Sequence, residues 1–85
     1  MNWSYGKAWN ITVGGVLQYR YMVRFNMSHT EVTYTGASGI TEDAGYYTDD
    51  HRAATGWVEA KVADDRKNAE ALGLSFTVTT KEFAG

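Results

Sequence analysis

The chain has 85 residues, a net charge of −2, no cysteine and no proline. Without cysteine it forms neither a disulfide nor a thiolate metal site, and its eight scattered Lys and Arg residues make no clustered cation track for nonspecific nucleic-acid binding. No run approaches the ~20 apolar residues of a membrane-spanning helix. No basic, apolar leader opens the chain, so a cytoplasmic setting is expected.

A chain of this size buries only roughly 60–65% of its unfolded surface. Its core must lean on aromatic residues, 14% of the sequence, because each buries a large area. The first of them alternate. Trp3, Tyr5, Trp9 and Ile11, then Leu17, Tyr19, Tyr21, Val23 and Phe25, occupy odd positions, while Asn10, Thr12, Gln18, Arg20, Arg24 and Asn26 fall on even ones. A period of two in aromatic and β-branched residues predicts half-buried strands over 3–12 and 16–26. Between them, Gly14-Gly15 supplies a turn. A two-residue loop there would split the aromatics between faces, whereas a three-residue loop, Val13-Gly14-Gly15, keeps odd opposite odd. It pairs Ile11 with Leu17, Trp9 with Tyr19, Lys7 with Tyr21, Tyr5 with Val23 and Trp3 with Phe25.

Asn26-Met27-Ser28-His29 is turn-prone, and Thr30 to Thr35 alternates again. A tight turn at Ser28-His29 sets Phe25 opposite Val32 and Val23 opposite Tyr34, completing a three-stranded meander. Gly36-Ala37-Ser38-Gly39 ends it. The polar stretch from there to Tyr47 is long for so small a domain; it reads as a loop or as hiding a short strand at Tyr46-Tyr47.

Thr48-Asp49-Asp50 has the hydroxyl and carboxylates of a helix start. Ala54, Trp57, Val58, Val62, Ala69 and Leu72 then share one apolar arc at helical spacing. Lys61 and Asp65 intrude on that arc, either pairing with each other or marking a break near Asp64-Asp65. Gly73 is placed as a C-cap. Leu74, Phe76 and Val78 alternate into a last strand over 74–82, with Phe83 out of phase and a bulge or strand end expected near Thr80. The expected fold is a single α+β domain over 1–85 of order βββαβ, a four-stranded sheet with the helix on one face. The third strand would connect through the helix to a parallel last strand, unless a strand at 45–48 reverses it.

No phosphate-binding loop, dinucleotide fingerprint, zinc-protease helix or nucleophile elbow is present. His51 beside Asp49 and Asp50 is the one local concentration of imidazole and carboxylates, and its ordinary reading is a solvated helix N-terminus. No catalytic, cofactor or metal residue is assigned. Glu42, Asp43, Asp49 and Asp50 flank Tyr46-Tyr47 without the spacing of a calcium loop. They suit a contact surface for a protein partner with a basic face, aromatics anchoring and charge steering; alternatively one tyrosine folds down over the core. Arg20 and Arg24 share the polar sheet face and form the alternative, nucleic-acid-binding surface. The aromatic stripe, by contrast, is needed as core and not as a base-stacking platform.

The expected function is therefore a small non-enzymatic interaction module, an inhibitor or adaptor of the kind that includes virus-encoded proteins. A small-molecule or enzymatic site around residues 36–51 ranks behind the nucleic-acid reading. The third strand, polar and followed by a Gly-rich segment, is expected to be an open edge, which leaves a homodimer with an extended sheet open as one arrangement, against which the charge of Glu31 argues.

Overall fold

The computed structural model describes residues 4–27 and 29–84. Trp3, with its expected pairing to Phe25, and Ser28 of the expected second turn lie outside the described residues. The elements are β1 (Tyr5–Val13), β2 (Leu17–Asn26), β3 (His29–Thr35), β4 (Thr41–Asp43), α1 (His51–Ala71) and β5 (Phe76–Phe83). They make one five-stranded antiparallel sheet of order β4-β3-β2-β1-β5, with the helix against one face. The class is α+β. The sheet has one strand more than the sequence pattern implies.

The first hairpin keeps odd positions opposite odd, so Trp9, Ile11, Tyr21 and Val23 gather on the helix side and are buried. Its register is two residues away from the expected one: Trp9 faces Tyr21, Ile11 faces Tyr19 and Val13 faces Leu17. The turn explains the shift. Gly14 and Gly15 sit at φ 63° and 76°, and the Val16 N–H donates to the Val13 carbonyl at 3.2 Å. Val13 thus stays in the strand and Val16 is left in the loop. Burial fixes which face a residue takes, but only turn geometry distinguishes registers two residues apart. The second hairpin shows the same shift, with Val23 facing Val32, Tyr21 facing Tyr34 and Phe25 facing Thr30. His29 pairs with Asn26 and belongs to the strand, not to the turn.

Residues 36–47 are neither a plain loop nor a strand at Tyr46-Tyr47. The chain turns at Gly36–Gly39, where the Gly39 N–H donates to the Gly36 carbonyl at 3.0 Å, and Thr41–Asp43 returns alongside β3. This short strand has two consequences. It covers β3, which is therefore not the open edge. It also reverses the chain before the helix, so β5 enters antiparallel to β1 and the expected parallel crossover does not form.

The helix starts at Asp50 as N-cap, whose carboxylate accepts the Arg52 N–H at 2.9 Å. Thr48 serves a turn just upstream, its hydroxyl accepting the Asp50 N–H at 3.1 Å. The helix runs unbroken through Asp64-Asp65. It ends in a glycine cap: Gly73, at φ 72°, donates to Glu70 at 3.0 Å and Leu74 to Ala69 at 2.9 Å, which satisfies two terminal carbonyls. Ala54, Val58, Val62 and Ala69 are buried, but Leu72 is 76% exposed. As the C-cap residue, it lies beyond the turn where helical spacing still predicts its direction.

β5 shows no bulge; its pairing with β1 runs unbroken from Val13–Phe76 to Gly6–Phe83. Phe83 falls on the open face of the sheet, over Gly6, where a Cβ would collide with its ring. The core between sheet and helix joins Trp9, Ile11, Tyr21, Val23 and Val32 to Ala54, Val58 and Val62. Ile11, Val23 and Val58 are its largest fully buried side chains, each stabilising the fold by roughly 1.5–3 kcal/mol. Among the described residues, no helix is long and apolar enough to cross a membrane.

Candidate functional site

The acidic surface begins on β4, whose three residues are all exposed at the sheet edge. Pairing of Thr33 with Asp43 and of Tyr34 with Glu42 sets the two carboxylates on opposite faces of that edge. Asp43 then accepts the Gly45 N–H at 2.7 Å, which bends the chain toward the helix. The next two tyrosines part company. Tyr46 turns inward and stacks on Trp57, ring centroids 5.1 Å apart. Tyr47 turns outward, 77% exposed, with its hydroxyl hydrogen-bonded to Asp43; that bond and the carboxylate charge hold the phenol pKa above its ordinary value. Asp49 and Asp50 follow, both exposed.

Five of the six expected contact residues, Glu42, Asp43, Tyr47, Asp49 and Asp50, therefore lie on the surface of one short segment. Tyr46 instead closes the core beneath them and fixes the segment's path. A depression of about 210 Å³ opens between this edge and the helix, where Glu42 meets Tyr34, Trp57 and Lys61. The Lys61 ammonium lies 5.5 Å from the Trp57 ring centroid, a cation–π contact, so it is engaged with the helix's own tryptophan and not with Asp65.

His51 is drawn into aromatic packing. Its ring stacks on Phe25 at 4.4 Å and meets Tyr5 edge-on at 6.0 Å. Among the described residues, no group of three or more His, Asp or Glu is placed to hold a metal ion.

On the opposite face, Arg20 and Arg24 are not equivalent. Arg24 forms an ion pair with Glu31 on the neighbouring strand. Arg20 lines a depression of about 610 Å³ with Asn10, Thr12, Gln18 and Thr35, and its Nε is buried without a hydrogen-bond partner. The pleat also brings Lys81, Glu31 and Asp43 to this face, so its charge is mixed.

Two features escape the sequence pattern. Asp65, on the apolar side of the helix, accepts the Tyr19 and Tyr21 hydroxyls at 2.8 and 3.0 Å, with Tyr34 packed against both rings. Burial first, then the Asp65 hydrogen bond and charge, push both phenols well above their ordinary range. An acid at a core-facing helical position opposite strand tyrosines was the available signal. The second feature is apolar. Leu17, Leu72 and Leu74 are 49%, 76% and 43% exposed and surround a depression of about 270 Å³ with Val13 and Ala69; Val16, next to Leu17, is 84% exposed.

No protein-family model matches this chain, and no curated protein or solved structure matches it.

Proposed function

We propose that the chain is a non-enzymatic protein-interaction module of the inhibitor or adaptor type, acting in the cytoplasm on a partner with a basic surface. The observation that supports this is the exposed run Glu42, Asp43, Tyr47, Asp49 and Asp50, backed by the Tyr46–Trp57 stack. Carboxylates steer a cationic partner, and an exposed tyrosine tied to Asp43 offers contact area at low entropic cost. The test is affinity capture from the native host followed by mass spectrometry, comparing the wild type with Asp43→Lys/Tyr47→Ala. A partner retained by the wild type, lost by the double variant and released by salt agrees with the reading. Equal capture by both proteins would remove this edge as the contact surface.

A second reading rests on the 610 Å³ polar depression around Arg20, as part of a nucleic-acid-binding face. It ranks lower because Arg24 is held by Glu31 and Asp43 shares the face.

A further inference from the structure

We infer that the outer edge of β5 is a self-association surface, through which two copies join their sheets about a twofold axis. The two edges of this sheet differ sharply. At one end, β4 offers three residues, two of them carboxylates, and short charged strands discourage strand addition. At the other end, β5 has eight residues in unbroken register with β1, and among the described residues no strand lies on its far side. It carries no proline and no bulge, two of the devices that blunt an edge.

Which backbone groups face outward follows from one bond. The Gly14 N–H donates to the Ser75 carbonyl at 2.9 Å. Antiparallel ladders alternate, so Thr77, Thr79 and Lys81 also direct their backbone groups at β1. Phe76, Val78, Thr80 and Glu82 direct theirs away from the sheet. Among these four, the two bulky side chains are drawn back onto their own molecule. The Arg66 guanidinium lies 4.9 Å from the Phe76 ring centroid, and Glu82 accepts the Tyr5 hydroxyl at 2.8 Å. The two central ones, Val78 and Thr80, are small and β-branched.

A second copy fits this edge in an antiparallel register centred on Thr79. That register sets Val78 opposite Thr80, Thr77 opposite Lys81 and Phe76 opposite Glu82. No like charges face each other, whereas centring on Lys81 or Glu82 would oppose identical charges across the axis. A twofold axis perpendicular to the sheet keeps both helices on one side. It also joins the two depressions of about 280 Å³ that lie between helix and β5, each lined by Trp9, Val62, Val78 and Thr80 together with Glu59 and Arg66 of the helix. The interface is isologous and therefore closes at two copies.

Sedimentation equilibrium of the wild type at high micromolar concentration should show a dimer. Thr80→Pro removes an outward N–H and should yield a monomer; a dimer that survives it overturns the inference, as does a wild-type monomer. Thr79→Lys and Thr79→Glu test the register without touching the backbone. Each variant alone should dimerise at least tenfold more weakly than the wild type, with its thermal melt retained. Mixed one to one, the two should recover the dimer, because opposite charges then meet on the axis. Variants that dimerise as tightly alone as the wild type would refute the twofold centred on Thr79.

Discussion

At the scale of single residues, burial and hydrogen bonding separate side chains that look alike in the sequence. Trp9, 3% exposed in the core, should cost on the order of 3–5 kcal/mol when truncated to alanine. Arg20→Ala on the opposite face should stay within about 0.5 kcal/mol, and so should Leu72→Ser, since Leu72 is already in solvent. Urea melts of the three would test the face assignment, and a Leu72 loss near that of Trp9 would contradict its exposed placement. Asp65 is the instructive case. Asp65→Ala strands two phenol donors, a loss of about 1–3 kcal/mol. It also changes the response to alkali. Both tyrosines have folded pKa values above the ordinary 10.0, so the folded state holds their protons more tightly than the unfolded chain. That stabilisation is complete below about pH 10 and is lost as pH rises toward the folded values. Stability should therefore fall above pH 10 in the wild type. It should fall less steeply in Asp65→Ala, where only burial and the charge of the neighbouring tyrosines still raise the phenols. Parallel pH curves for the two proteins would show that Asp65 has no hold on them.

At the scale of elements, the alternating pattern identified four of the strands and the helical arc identified the helix, because both periods report burial directly. What it missed has a physical pattern. Registers two residues apart bury the same side chains, so Trp9 opposite Tyr19 and Trp9 opposite Tyr21 look equally good until the turn at Gly14–Val16 is known. β4 escaped notice because Thr41–Asp43 is exposed on both faces and has no apolar alternation to read. Phe83 looked out of phase because the sequence pattern could not show that Gly6, far away in the chain, makes room for its ring. The helix start was legible only to within two residues, since Thr48, Asp49 and Asp50 are all competent caps. The structure assigns that role to Asp50. Asp50→Ala should cost about 1 kcal/mol, whereas Asp49→Ala should change stability little; chemical denaturation of the pair would decide. Equal losses would mean that the carboxylates act through the helix dipole instead of through one capping bond.

At the scale of the whole molecule, the acidic segment was readable as a charged, tyrosine-bearing stretch. Its division into an inward Tyr46 and an outward Tyr47 depends on where Trp57 presents its ring, which no local pattern contains. The polar face shows the converse: two arginines on one strand look like a basic patch until Glu31 is found opposite Arg24. That pairing bears on nucleic acid. On this face Arg20 and Lys81 remain as cations outside the Glu31 pair, while Asp43 repels phosphate, and the whole chain carries a net charge of −2. Each phosphate neutralised steepens the dependence of log K on log[salt] by about −0.9. Two cations thus support a slope of only roughly −2 and weak binding. Fluorescence anisotropy with labelled duplex and single-stranded oligonucleotides should therefore detect negligible binding at moderate salt. Arg20→Glu should change nothing. Micromolar binding with a slope well beyond −2, abolished by Arg20→Glu, would require cations from outside this face and would move the proposed function from a basic protein partner to a nucleic acid.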